Sequence, residues 1–311
     1  MSEAMLEAVG VSKMFGAVRA LNEVNLTVGP GVTGLLGPNG SGKSTLIKLF
    51  SGQLKPDTGQ IRLMGGDPVT EQSVRRQLGL CPEQDRFYED MTGRAFVEAL
   101  TRLHGLSPKM AAKQTDWALG RVGMTAFGSK TLKDMSRGMR QRIKMAQAVA
   151  HQPKVVLLDE PLTGTDPVGR ADLIQLIRDL GAEGHCVIVS SHVLHEVEAM
   201  TNDVIFIRFG RLRARGDVFK LRTLIKDRPY RFTIQIDQPR RFAQELLAAT
   251  CIQSVEISGP AECEVTTTAL VECVPLLREA AARLQLTIEG LSAPDADLES
   301  VYEYLLGEAQ R

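Results

Sequence analysis

The sequence lacks the marks of an exported, membrane-spanning or disulfide-built protein. Its five cysteines (Cys81, Cys186, Cys251, Cys263 and Cys273) form no CxxC pair and no metal-ligand spacing. Isolated thiols of this kind are expected to be free, in a reducing compartment. The opening stretch MSEAMLEAVG has no basic flank followed by an apolar core, so no signal peptide is read there. Long apolar runs are missing too. VVLL at 155–158 and VIFI at 204–207 are strand-sized, well short of the ~20 residues a spanning helix needs. The expectation is a cytoplasmic protein that cannot cross a bilayer by itself.

Net charge is also absent, with 37 Lys and Arg balancing 37 Asp and Glu. The balance is uneven along the chain. Residues 1–226 hold 30 basic against 23 acidic side chains, and residues 227–311 hold 7 against 14. The first part suits a phosphate ligand or an anionic surface. The acidic tail does not read as a nucleic-acid arm, and no nucleic-acid partner is expected. With 43% hydrophobic and 24% charged residues, 311 residues have room for about two folded domains.

What is present begins with GVTGLLGPNGSGKSTLIKLFS at 31–51. A short apolar strand, Val32–Leu36, runs into a glycine-rich loop and then a helix from about Lys43. Residues 37–44 satisfy G-x-x-x-x-G-K-[ST] in the strand–loop–helix context it requires. Such a loop wraps a phosphate with its backbone N–H groups inward, and Gly37, Pro38, Asn39, Gly40, Ser41, Gly42 and on to Thr45 are read as its lining, Pro38 without an N–H of its own. Lys43 supplies positive charge to the β- and γ-phosphates, and the Ser44 hydroxyl is placed to ligate Mg²⁺.

VVLLDEP at 155–161 reads as a strand buried on both faces, with Asp159 at its carboxyl end, where open α/β sheets bind ligands. Many strands end in solvated acids. Paired with the phosphate loop, however, Asp159 reads as a Mg²⁺ residue and Glu160 as the base that orients or deprotonates a water. HCVIVSSH at 185–192 gives a third buried strand, ending in His192. A lone histidine there is commonly structural; on a strand of the same sheet it would sense the γ-phosphate.

DMSRGMRQR at 134–142 poses a separate puzzle. Ser136 reads as a helix N-cap with Gly138 just inside, an anion site by backbone N–H groups and helix dipole. No strand leads into it, and the phosphate site is already complete elsewhere.

GPNGSGKST, MSRGMRQR, VVLLDEP, TGTDP and SSH, in this order, resemble the ATP-binding cassette (ABC) ATPases over about residues 4–220. The details are most similar to the ATPase subunits of bacterial exporters. The resemblance implies a P-loop NTPase core with a helical subdomain at about 86–153, in a cassette spanning 1–226. It implies ATP and Mg²⁺ as cofactors, and a homodimer in which Ser136 and Gly138 close over the partner's ATP. It also implies separate transmembrane permease subunits, which would hold the chain at the cytoplasmic face of the membrane. An importer ATPase and a soluble, non-transport ABC ATPase are the alternatives. The signature departs from LSGGQ at Met135, Arg137 and Met139 but keeps Ser136 and Gly138. Phe15 stands where the family stacks an aromatic on adenine, though a core Phe would read the same way. In LGLCPEQD, Glu83 occupies the position usually held by Gln, with Gln84 next; either oxygen could reach Mg²⁺ and the water. Asp166 carries the TGTD segment. DRFYED at 85–90 is either the contact with the membrane partner or a solvated loop.

Residues 227–311 read as an accessory domain. YRFTIQI (230–236), a helix at 240–250, QSVEIS, CEVTTT, a helix at 270–285 and LTIEGL (286–291) give the β-α-β-β-α-β order of a ferredoxin-like α+β fold. A closing helix is expected at 296–309.

Overall fold

A computed structural model of the chain describes residues 4–223, 229–293, 298–299 and 301–302. The chain divides into two compact units, Met1–Gly216 and Asp217–Arg311.

The first unit opens with β1 (Leu6–Phe15) and β2 (Val18–Val28), followed by β3 (Gly31–Leu36), α1 (Lys43–Phe50) and β4 (Thr58–Leu63). β2, β1 and β4 form an antiparallel three-stranded sheet. α2 (Gln72–Arg75) and β5 (Leu78–Cys81) lead to the helices α3 (Gly93–Leu103), α4 (Pro108–Arg121) and α5 (Arg137–Val149). Each of these three starts on a hydroxyl cap: Thr92, Ser107 and Ser136 accept from Ala95, Met110 and Met139 N–H groups respectively. Their apolar faces, including Phe96, Val97, Leu119, Ile143 and Met145, pack together as one core. The unit continues through β6 (Val155–Asp159), α6 (Pro167–Ala182), β7 (Cys186–Ser191), α7 (Leu194–Glu198), β8 (Asp203–Arg208) and β9 (Arg211–Asp217).

A six-stranded sheet in the order β5-β6-β7-β3-β8-β9 forms the centre of this unit. β6 and β7 are buried at every residue, as strands covered on both faces must be. β5 through β8 pair in parallel. Register then sets the site: Asp159 lies opposite Ser190, and Leu36 opposite Ser191. The carboxyl ends of β3, β6 and β7 therefore deliver the phosphate loop, the Asp159–Glu160 pair and His192 to one edge.

The second unit holds α8 (Val218–Thr223), β10 (Tyr230–Ile236), α9 (Pro239–Leu246), β11 (Ile252–Gly259), β12 (Glu262–Thr267), α10 (Leu270–Leu284) and β13 (Ile288–Ser292). Its antiparallel sheet runs β11-β12-β10-β13, the strand order of a ferredoxin-like fold. Phe232, Ile234, Phe242, Val265 and Leu277 are buried in its core. The last strand begins two residues later than the sequence suggests. Gln285 is left-handed (φ 57°) and turns the chain out of α10 before it can extend. Of the expected closing helix, Leu298, Glu299, Val301 and Tyr302 are helical, and the remainder lies outside the described residues.

Candidate nucleotide site

β3 ends against the loop at Gly37, where a Cβ would lie 2.2 Å from the Ile207 carbonyl oxygen. Gly42 caps α1 with φ 112°, a conformation open to glycine and strained for other residues. These two positions let the loop fold back on itself. Asn39 and Gly40 are exposed at its rim, Pro38, Ser44 and Thr45 are half-buried, and Ser41 is buried beneath. Lys43 is only 6% exposed. Its Nζ donates to the Gly37 carbonyl at 2.7 Å and the Pro38 carbonyl at 3.3 Å, so the ammonium sits inside the loop's curve. Burial pushes its pKa below the usual lysine value, against the opposing pull of Glu160, Asp159 and Glu83.

Across from the loop, Asp159 is buried and Glu160 is half-buried. Ser190 ties them together. Its hydroxyl donates to Asp159 Oδ1 at 2.5 Å and accepts from the Glu160 N–H at 3.1 Å. Glu160 has a left-handed backbone (φ 51°), a strained conformation for a non-glycine residue. The turn aims its side chain away from the strand, and His192 Nδ1 meets Glu160 Oε2 at 2.9 Å. Burial raises the Glu160 pKa above the ordinary carboxylate value, while the His192 contact and Lys43 act against that rise. A carboxylate so held can accept a proton from a water.

A cavity of about 220 Å³ is lined by Ser44, Gln53, Glu83, Gln84 and Asp159, among others. Ser44, Glu83, Gln84 and Asp159 offer hard oxygen donors with a single buried carboxylate, on a lining that also carries the cations Lys48 and Arg86. Mg²⁺ prefers such a set when nucleotide phosphates and water complete its octahedron. Among the described residues no group of three or more His, Cys, Asp or Glu is placed to hold a metal ion by itself. Ser44 and Asp159, with Glu83 or Gln84, are the residues that could hold the ion.

The other candidate residues lie apart from this cavity. Phe15 closes β1 at 48% exposure, with Lys13 Nζ 5.9 Å from its ring centroid, so it is a surface ring and not a core residue. Ser136 caps α5 by accepting the Met139 N–H at 3.3 Å. Gly138 faces Gly164 and Thr165, with room for a Cβ in ordinary contact. Asp166 is the N-cap residue of α6. Among the described residues no hydrogen bond joins Ser136 or Gly138 to the phosphate loop. Residues 85–90 are pinned, not free. Arg140 donates to Asp85 and Glu89, and its guanidinium lies 4.7 Å from the Phe87 ring centroid.

Sequence reasoning missed Ser190 and Gln141. Gln141 Nε2 donates to the Pro161 carbonyl at 2.6 Å and so anchors the turn after Glu160. Ser190 read as the tail of an apolar strand, and Gln141 as one polar residue of a helix; neither carried a signal.

Residues 21–163 match the family described as ABC transporter. Daunorubicin resistance ATP-binding protein DrrA3 of Streptomyces coeruleorubidus is 35% identical over 224 residues, 71% of each chain. The chain belongs to the ABC transporter ATP-binding proteins. An ABC transporter ATP-binding protein of Bacillus subtilis, YdbJ, is 37% identical over 69% of this chain and 70% of its own. The fold agrees. The ATP-binding subunit of an ABC transporter superposes with a TM-score of 0.66 at 26% identity, covering 71% of this chain and 92% of that one. A dimeric bacterial ABC transporter cassette, MJ0796, gives a TM-score of 0.64 at 23% identity over 68% of this chain and 98% of its own. ABC ATPases bind and hydrolyse ATP. Among the described residues no helix is long and apolar enough to cross a membrane.

Proposed function

We propose that this chain is the ATP-hydrolysing subunit of an exporter, coupling ATP-driven closure of a homodimer to movement of separate transmembrane subunits. The observation that carries the reading is the intact constellation at one sheet edge. Lys43 lies in the loop's curve, Asp159 is fixed by Ser190, and Glu160 is held by His192. In this reading the loop residues 37–45 bind the phosphates, Phe15 stacks on adenine, and Glu160 takes the proton of the attacking water. His192 orients Glu160 and faces the γ-phosphate. When bound, Mg²⁺ neutralises charge on the phosphate oxygens. Ser44, Asp159 and Glu83 or Gln84 would hold it.

Ser136 and Gly138 serve the partner's nucleotide, and Asp166 lies beside that interface. Ser136 spends its hydroxyl on capping α5, and Gly138 faces Gly164 and Thr165, not residues 37–45; that arrangement supports action in trans, and so do cassettes of this fold that were solved as dimers. Two relatives named for daunorubicin resistance support the exporter assignment. A cavity of about 260 Å³ between β5, α3 and α5, lined by Phe87, Phe96 and Leu100, suits a permease segment. That contact would place the chain at the cytoplasmic face of the membrane. The cassette is read as residues 1–226, ten residues past the Gly216–Asp217 division of the two compact units, with the helical subdomain at 86–153 and the accessory domain at 227–311.

Co-purification from detergent-solubilised membranes, followed by ATPase assay of the complex, tests the reading. A transmembrane partner whose cargo stimulates hydrolysis is expected. An active ATPase that never associates with a membrane protein would overturn the transport assignment.

A further inference from the structure

α5 carries more than its capped N-terminus. One of its faces grips the chain that leads to Glu83 and Gln84. Gln147 Nε2 donates to the Leu80 carbonyl at 2.5 Å. One turn earlier lies Lys144, 4% exposed, on a helix whose other buried residues are apolar except Gln141. A buried ammonium has three N–H donors to satisfy. Here Nζ reaches three acceptors: the Pro82 carbonyl at 3.1 Å, the Glu83 carbonyl at 2.9 Å and Asp85 Oδ1 at 2.9 Å. The other oxygen of Asp85 accepts from Arg140 Nε at 3.0 Å.

The three contacts straddle one residue. Lys144 fixes the backbone just before Gln84 and the side chain just after it, leaving Glu83 and Gln84 to line the cavity with Ser44 and Asp159. An exposed turn with only water as partner would sample many backbone states. This one is tied at three points within four residues. A plain packing role does not require an ammonium, since a buried ion pair exchanged for apolar groups of the same volume is commonly neutral or stabilising.

We propose that Lys144 is a positioning residue that sets Glu83 and Gln84 against the Ser44–Asp159 cavity and so tunes the affinity of the nucleotide site for Mg²⁺. The inference rests on the reading of that cavity as the metal side of the site. Residues that orient metal ligands from behind typically change metal affinity 10–100-fold when lost.

The test is a Mg²⁺ titration of the binding of a fluorescent ADP analogue to the full chain, with no turnover involved. Lys144→Met keeps the volume and removes the donors. It should bind the analogue in EDTA as the wild type does, while half-saturation by Mg²⁺ moves up at least about tenfold. Asp159→Asn serves as the reference and should shift the same titration. If Asp159→Asn shifts it and Lys144→Met does not, the inference is wrong and the cavity reading stands. If neither shifts it, the cavity reading fails and the inference falls with it. Should Lys144→Met not fold, Asp85→Ala removes the third contact from the half-exposed side. An unshifted Mg²⁺ titration in that variant also overturns the inference.

Discussion

His192 Nδ1 lies 2.9 Å from Glu160 Oε2, joining the residue after β7 to the residue after β6. The histidine is 55% exposed at its side chain and the glutamate 13%, so the contact closes one side of a carboxylate that is otherwise sheltered. Two effects meet at Glu160. Burial raises its pKa, and the His192 hydrogen bond lowers it.

His192→Ala removes the lowering contact and leaves the burial. A base works only when deprotonated, so the rate falls as pH drops through its pKa. The acid limb of the ATPase pH profile should therefore move to higher pH in the variant. At neutral pH, kcat should fall roughly 10–10³-fold, with nucleotide affinity nearly unchanged. An acid limb that moves down or stays in place would show that His192 does not tune Glu160.

Glu160→Gln keeps shape and removes the base. Turnover should drop about 10²–10⁴-fold, with ATP still bound and a dimer accumulating on gel filtration. The nucleotide-free protein offers a second readout. A glutamate whose folded pKa is raised opposes folding when ionised, and this contribution vanishes below the unfolded pKa. The variant should therefore melt above the wild type at pH 8. The gap should close as pH falls through the raised folded pKa toward the ordinary carboxylate range. A gap that widens on acidification would contradict the burial-driven shift.

Lys43→Ala tests the loop. The ammonium already lies in the curve, bonded to the Gly37 and Pro38 carbonyls. Losing two charge-assisted hydrogen bonds to phosphate, at about 1.5–3 kcal/mol each, weakens ATP binding about 10²–10⁴-fold. Isothermal titration with ATP measures it, and affinity within threefold of the wild type would remove Lys43 from the site.

The phosphate loop and the strands bearing Asp159 and His192 were legible in the sequence for physical reasons. Strands buried on both faces write unbroken apolar runs, and a backbone wrapped around phosphate writes its glycines at fixed spacing. The ferredoxin-like tail was legible because its strands alternate: Tyr230, Phe232, Ile234 and Ile236 are buried, while Arg231 and Gln235 are exposed. β1 left no such trace beyond its first three residues. Its pairing with β2 shifts register between Ala8 and Val11, again before Lys13, and again before Met14, which breaks the period of two that a reader would look for. The grip of α5 on residues 80–85 was invisible for another reason. Lys144 and Gln147 are polar letters on a helix, and sequence alone assigns those to solvent. Only the fold reveals that they face carbonyl groups of a neighbouring turn.

Ser136 offers the sharpest test of pairing between copies. It caps α5, and no hydrogen bond among the described residues links it to the chain's own loop. Ser136→Arg removes the cap and puts a bulky cation where the partner's γ-phosphate would dock. Isolated monomers of the variant should bind ATP as the wild type does, with hydrolysis blocked. Mixing Ser136→Arg chains with Lys43→Ala chains then separates the two sites of the dimer. One site receives both defects and the other receives neither. Turnover should recover to roughly a quarter of the wild-type value per chain, because half of randomly paired dimers are mixed and each holds one intact site. Ser136→Arg monomers that no longer bind ATP would show that Ser136 serves its own nucleotide. Mixed dimers that form without any recovery would show that a single intact site cannot fire alone.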